Sequence, residues 1–73
     1  MNKIIDAREL EPPQPLELTL EAVDTLADGE ELTLLLYCQP RPLYNALRSG
    51  GFTWREQLLD DGTREINIRR RGT

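Results

Sequence analysis

The segment Asp6–Pro15 constrains this chain more than any other part of the sequence. It follows the short strand-like run Lys3–Asp6 and precedes a helical pattern, so it connects a strand to a helix. Three of its ten residues are Pro12, Pro13 and Pro15. Proline suits the first turn of a helix, where the N–H groups have no partner within the helix. We therefore expect the first helix to begin at Pro13 or Pro15.

The residues that follow have the period of an amphipathic helix. Its apolar stripe consists of Leu16, Leu20, Val23 and Ala27, with Thr19 and Leu26 beside it. Its acidic outer face consists of Glu17, Glu21, Asp24 and Asp28. We expect the helix to end at Asp28-Gly29, with the glycine as the left-handed cap.

Glu31–Tyr37 has the strongest strand pattern in the chain. One face carries Leu32, Leu34 and Leu36, and the other carries Thr33, Leu35 and Tyr37. Both faces are largely apolar, which indicates a central strand or an outer face that contacts something else. Because a helix separates this strand from the first one, we expect the two to pair in parallel.

The rest of the chain predicts one more helix and a hairpin. The helix should run from Pro42 to about Ser49 and end at Gly50-Gly51. Phe52–Leu59 and Thr63–Arg70 should form strands joined by the turn Asp60-Asp61-Gly62, with Ile66 and Ile68 in the core. Residues 1–73 then form a single domain of the α+β two-layer sandwich class, with element order β-α-β-α-β-β. Two helices should cover one face of a four-stranded mixed sheet.

Three segments carry a resemblance to a known family: Ile5–Pro15, Gly29-Glu30 before the second strand, and the closing hairpin through Arg70. On these residues the chain resembles the TusA/SirA-like sulfur-carrier superfamily. It is most similar to a branch of small bacterial domains of unknown function that lacks the sulfur-carrying cysteine. Pro40-Arg41-Pro42-Leu43-Tyr44 also follows a Pro-x-Pro-Leu-Tyr pattern of that branch. The resemblance covers nearly the whole chain and implies the same fold.

Pro12 stands at the position where the sulfur carriers have their cysteine. In those proteins the helix begins with Cys-Pro-x-Pro, and here Pro13, Gln14 and Pro15 match the last three positions. A thiol at a helix N-terminus is stabilised as a thiolate by the helix dipole and the free N–H groups. Proline has no such group, and Glu11 beside it adds a negative charge. The resemblance therefore implies the fold and not sulfur transfer at this position.

The composition excludes several kinds of chemistry. The chain has one cysteine and no histidine, so it has no internal disulfide, no zinc site of the usual Cys/His kind and no histidine-based catalytic triad. We expect no enzymatic activity, no metal and no cofactor. No apolar run approaches a membrane span, and the N-terminus lacks the long apolar region of a signal peptide, so we expect a cytoplasmic protein that does not enter a membrane.

The charge is distributed unevenly along the chain. Residues 1–31 contain two basic and nine acidic residues, whereas residues 32–73 contain seven basic and four acidic ones. Binding of nucleic acid through Arg48, Arg64 and Arg69–Arg71 is one possible consequence. Three consecutive arginines without interleaved aromatic residues are weak evidence for such a site, so we expect a frayed, solvated strand end and no nucleic acid partner.

The leading hypothesis is a small non-catalytic protein-interaction module that acts as a monomer or weak dimer on an unidentified protein partner. Its predicted surface comprises Glu11, Pro12, Pro13, Pro15, Cys38, Arg41, Pro42 and Tyr44. An alternative surface is the open sheet face with Leu35 and Tyr37, and Trp54 could add to an aromatic surface. Parallel pairing of the first two strands should place Cys38 near Pro12 and the start of the first helix. The alternative function is a sulfur carrier or redox relay that uses Cys38, which we otherwise interpret as a structural or incidental residue.

Overall fold

The computed structural model describes residues 3–11 and 14–71, and it has the predicted element order. The strands and helices are β1 (Lys3–Asp6), α1 (Gln14–Asp24), β2 (Leu32–Leu36), α2 (Arg41–Gly50), β3 (Phe52–Leu58) and β4 (Arg64–Arg70). Pro12 and Pro13 lie outside the described residues, and α1 begins at Gln14, between the two predicted start positions Pro13 and Pro15. Neither α1 nor α2 is long and apolar enough to cross a membrane.

The four strands form one mixed sheet in the order β1-β2-β4-β3. β1 and β2 pair in parallel, with Lys3 opposite Leu32 and Asp6 opposite Leu35. β4 pairs antiparallel with β2 on one side and with β3 on the other. The predicted parallel pairing and the predicted hairpin are therefore both confirmed.

Along β2 and β4, fully buried and half-buried side chains alternate, and the fully buried ones lie on the face that the helices cover. Leu32, Leu34, Ile66 and Ile68 are 0% exposed, whereas the residues between them are half-buried on the other face. Helices α1 and α2 cover this first face with buried side chains of their own: Val23, Leu43 and Leu47. Each fully buried aliphatic side chain contributes about 1.5–3 kcal/mol to folding. The core is thus a single layer between the two helices and the sheet.

Helix α1 ends at Asp24, four residues before the predicted end, so that prediction was wrong. The hydroxyl of Thr25 donates to the carbonyl oxygen of Ala22 at 2.9 Å, and the N–H of Thr25 donates to the same oxygen at 3.2 Å. This tight last turn leaves Ala27 exposed, although it was predicted on the apolar stripe, and places Leu26 in the core at 1% exposure. A threonine that bonds to the backbone competes with continuation of the helix.

Gly29 has the left-handed backbone expected of it, with φ of +85°, but it lies in a separate turn after the helix. The Ala27 N–H donates to the Glu30 carboxylate at 2.8 Å, and the Glu30 N–H donates to the Ala27 carbonyl oxygen at 3.0 Å. The first of these bonds lowers the pKa of Glu30. This turn leads the chain into β2.

Helix α2 and the hairpin follow the predicted signals closely. Gly51 caps α2 with φ of +84°, and its N–H donates to the Leu47 carbonyl oxygen. The turn between β3 and β4 is held by Asp61, whose carboxylate accepts the Thr63 N–H at 2.9 Å. Interaction with Thr63 lowers the pKa of Asp61. Asp60-Asp61-Gly62 therefore forms the predicted turn.

Candidate functional site: an apolar hollow at the carboxyl edge of β1 and β2

An apolar hollow of about 330 Å³ lies where β2 ends and both helices begin. Helix α1 contributes Pro15 and Leu16 to its lining, and α2 contributes Pro42 and Leu43. Leu36, the last residue of β2, completes the side nearest the sheet. The hollow lies at the carboxyl edge of β1 and β2 because these parallel strands both end there and each is followed by a helix.

Proline fixes the geometry of this hollow. Pro15 and Pro42 are each the second residue of a helix, where proline's missing N–H costs no helical hydrogen bond. Pro40 also lines the hollow and lies immediately before α2 with φ of −89° and ψ of 72°. The walls are therefore stiff, and they offer few hydrogen-bonding groups to a ligand.

Cys38 lies at the hollow together with Pro15, in the loop between β2 and α2. Its side chain is exposed and forms no disulfide. The prediction that Cys38 lies near the start of the first helix is thus confirmed for Pro15, whereas Pro12 is outside the described residues. Among the described residues that line the hollow, none is a lysine or arginine.

Two other residues of the predicted surface lie beside the hollow without lining it. Arg41 is exposed at the first position of α2, and its backbone N–H donates to the Gln39 carbonyl oxygen at 3.1 Å. Glu11 is exposed before α1, and its carbonyl oxygen accepts the Gln14 N–H at 2.9 Å. Arg41 thus lies in the chain between two lining residues, and Glu11 bonds to the residue that precedes Pro15.

Tyr44 was predicted on the same surface, but the structure places it against β3. Its ring stacks on Trp54 with centroids 5.0 Å apart and planes 10° apart, and its hydroxyl donates to the Glu56 carboxylate. Burial and this carboxylate raise the pKa of Tyr44, and the bonds from Tyr44 and Arg64 lower the pKa of Glu56. The guanidinium of Arg48 lies 5.7 Å from the Trp54 ring. This cluster attaches α2 to β3, and Tyr44, Trp54, Glu56 and Arg48 do not line the hollow.

An ion pair that sequence reasoning did not identify holds the connection from β1 to α1. The Arg8 guanidinium donates to both carboxylate oxygens of Asp6, at 2.9 and 2.8 Å. These bonds lower the pKa of Asp6 to about 2. Arg8 also lies 3.9 Å from the Asp61 carboxylate in the β3–β4 turn. Asp6 and Arg8 are two positions apart where β1 ends, and this spacing is the only sequence signal of their ion pair.

The face of the sheet without helices carries a mixture of apolar and polar side chains. Ile4 is 72% exposed and Tyr37 is 55% exposed, with Leu35 half-buried beside them. Farther across the sheet, the Thr33 hydroxyl donates to the Asn67 side-chain oxygen at 2.9 Å. This open face is the second surface named from the sequence.

The arginine cluster at the end of β4 is largely engaged within the protein. Arg69 pairs with Glu31 at 2.9 Å, and Arg70 donates to the Leu26 carbonyl oxygen and lies over the Phe52 ring at 5.2 Å. Arg71 is exposed, although its backbone N–H donates to the Gly51 carbonyl oxygen. The strand end is therefore paired rather than frayed.

Comparison with known proteins adds a family and a fold. The model of a family described as "Uncharacterized conserved protein (DUF2249)" matches residues 4–70. A comparison with curated proteins found no match. Among solved structures, the SirA-like protein from Desulfitobacterium hafniense is similar, with a TM-score of 0.83, 20% sequence identity, and coverage of 96% of this chain and 99% of that chain. At this identity the similarity shows a shared α+β fold.

Proposed function

This chain belongs to the DUF2249 family, and on that premise we propose that it is a non-enzymatic protein-interaction module that docks a partner at the apolar hollow. The observation that carries the proposal is the hollow itself, an apolar surface of the SirA-like fold walled by Pro15, Pro40 and Pro42. An apolar side chain of a partner would gain the free energy of leaving water by entering it. Stiff walls reduce the conformational entropy lost on binding, which favours affinity.

The lining also supports a docking role over a catalytic one. Apart from Cys38, the described residues of the hollow are prolines, leucines and one glutamine. General acid–base catalysis needs a titratable group within reach of the reacting atoms, and this set offers only a thiol. A partner with an apolar anchor matches the lining, and opposite charges at Arg41 and Glu11 could orient it.

The proposal is tested by placing a charge in the hollow without disturbing the fold. Pro42 is exposed at the second position of α2, where glutamate is favourable because of the helix dipole. Pro42→Glu should therefore fold normally and reduce partner capture from cells of the source organism at least about tenfold, as quantified by mass spectrometry. Asn45→Glu, which adds the same charge at an exposed position of α2 that does not line the hollow, is the matched control and should capture the partner as the wild type does. If both variants retain it equally, the hollow is not the docking site.

The exposed thiol of Cys38 beside Pro15 favours one second candidate, a sulfur carrier. In that role the Cys38 thiolate would attack the outer sulfur of a donor protein's persulfide and release the donor thiolate. The reaction predicts a mass increase of one sulfur atom after incubation with a cysteine desulfurase and cysteine. Cys38→Ser should abolish the increase if Cys38 is the carrier. An unmodified wild type would exclude this candidate.

A further inference from the structure

β3 is a long outer strand of the sheet. Its residues Phe52–Leu58 pair with β4 in unbroken register, from Phe52 opposite Arg70 to Leu58 opposite Arg64. The strand contains no proline, glycine or bulge, and within residues 3–11 and 14–71 no strand borders its other side. Such an edge presents unpaired backbone groups that can add another strand.

Two hydrogen bonds show which backbone groups of β3 point outward. The Arg71 N–H donates to the Gly51 carbonyl oxygen at 2.9 Å, and the Leu59 N–H donates to the Thr63 carbonyl oxygen at 2.8 Å. In an antiparallel ladder, hydrogen-bonded pairs alternate with pairs that are not hydrogen-bonded. The odd-numbered residues of β3 therefore bond to β4. The outward-pointing N–H and C=O groups belong to Phe52, Trp54, Glu56 and Leu58.

The side chains next to this edge indicate which kind of added strand β3 can bind. On the open face, Arg55 is exposed, and the described residues give its guanidinium no ion pair or hydrogen bond. Arg55 and Arg69, which is already paired with Glu31, flank a shallow hollow of about 440 Å³ that also contains Thr53 and Asn67. On the helix-covered side, Trp54 is half-buried and Leu58 is 64% exposed. One side of an added strand would thus meet Arg55, and the other would meet Trp54 and Leu58 on either side of Glu56, whose carboxylate is bonded to Tyr44 and Arg64.

We propose that β3 binds an extended acidic segment of a partner by β-strand addition. Alternate acidic side chains of the partner lie on the open face against Arg55, and the apolar side chains between them contact Trp54 and Leu58. Residues opposite Arg55 occupy a pair without hydrogen bonds, in which the side chains are closest, so an acidic residue there gains the most from the charge. This surface is distinct from the apolar hollow, and the inference does not depend on the proposed function.

A second copy of this chain is a poorer occupant of the edge. Symmetric antiparallel pairing of two β3 strands over all seven residues centres on Arg55 and places it directly opposite the Arg55 of the other copy. Like charges in directly opposite positions destabilise a strand pair. Charge complementarity therefore favours an acidic strand over self-association.

The test uses a capped synthetic heptapeptide of alternating glutamate and valine and the full-length ¹⁵N-labelled protein. On titration, the amides of Trp54, Glu56 and Leu58 should become protected from hydrogen exchange, while the amides that already bond to β4 change little. Arg55→Glu should weaken binding about tenfold at low salt, and added salt should weaken binding to the wild type. Arg41→Glu, a charge reversal beside the apolar hollow, should leave binding unchanged.

Two control peptides separate strand addition from general charge attraction. Replacing glutamate by lysine should abolish binding. Methylating the valine backbone nitrogens removes the donors that face β3 and should also abolish binding, although every charge is kept. The proposal is overturned if the methylated peptide binds equally well, or if the outward amides stay unprotected at saturation. Protection that appears without peptide and grows with protein concentration would assign the edge to self-pairing and also overturn it.

Discussion

The two faces of the sheet are made from alternate residues of the same strands, but they differ in what they contribute. On the covered face Leu34 and Ile66 lie opposite one another with no exposure, packed under both helices. On the open face the neighbouring residues Leu35 and Glu65 lie opposite one another and are half-buried. The comparison indicates that the covered face supplies most of the stability, so that the open face and the sheet edges are free to vary for binding. Four substitutions test this difference, in order of expected size.

Leu34→Ala should have the largest effect. It removes a fully buried side chain from the centre of the covered face and leaves a cavity. We expect the free energy of unfolding to fall by about 3 kcal/mol, measured by urea denaturation. A loss below about 1 kcal/mol would show that the covered face is not the main source of stability.

Leu35→Ala is the matched change one residue along the same strand. Because Leu35 is only half-buried on the open face, we expect a loss of about 1 kcal/mol or less. If this variant is as unstable as Leu34→Ala, the open face is covered in solution, for example by another molecule.

Asn67→Ala tests the polar part of the open face. It removes the side-chain bonds to Thr33, at 2.9 Å, and to Glu65, at 3.3 Å. Water can replace the lost partners at a half-buried position, so we expect a loss of about 0.5 kcal/mol in the same denaturation experiment. A loss as large as that of Leu34→Ala would contradict the assignment of stability to the covered face.

Asp6→Asn should have the smallest effect, and only at some pH values. The bonds from Arg8 lower the pKa of Asp6 from 3.8 to about 2. The folded state therefore binds this proton more weakly than the unfolded state, and the stabilisation is complete above about pH 4 and is lost as the pH falls towards 2. Melting temperatures of the variant and the wild type should differ at pH 6 and converge near pH 2. A difference in melting temperature that grows as the pH falls would contradict the pairing of Asp6 with Arg8.

Much of the fold could be predicted from the sequence because its signals are local. The alternation of Leu32, Leu34 and Leu36 identified the covered face, and Gly51 identified the end of α2. The position of Cys38 beside the first turn of α1 followed from the parallel pairing of β1 and β2. These inferences needed only periodicity, glycine conformation and chain topology.

The parts that could not be predicted depend on side chains that meet through the fold. The early end of α1 depends on Thr25, whose hydroxyl could equally have faced solvent. Tyr44 belongs to the same Pro-x-Pro-Leu-Tyr pattern as Pro40 and Pro42. Its side chain nevertheless contacts Trp54 and Glu56 of β3. Helix periodicity alone does not show which of two neighbouring elements a half-buried side chain will contact.

The central claim is that the hollow walled by Pro15, Pro40 and Pro42 docks a protein through apolar contact. The most direct measurement is quantitative partner capture from cells of the source organism with wild type, Pro42→Glu and Cys38→Ser side by side. If the hollow is the docking site, wild type and Cys38→Ser capture a specific partner that Pro42→Glu loses. Loss of the partner by Cys38→Ser with full retention by Pro42→Glu would contradict it and would identify the thiol as the functional group.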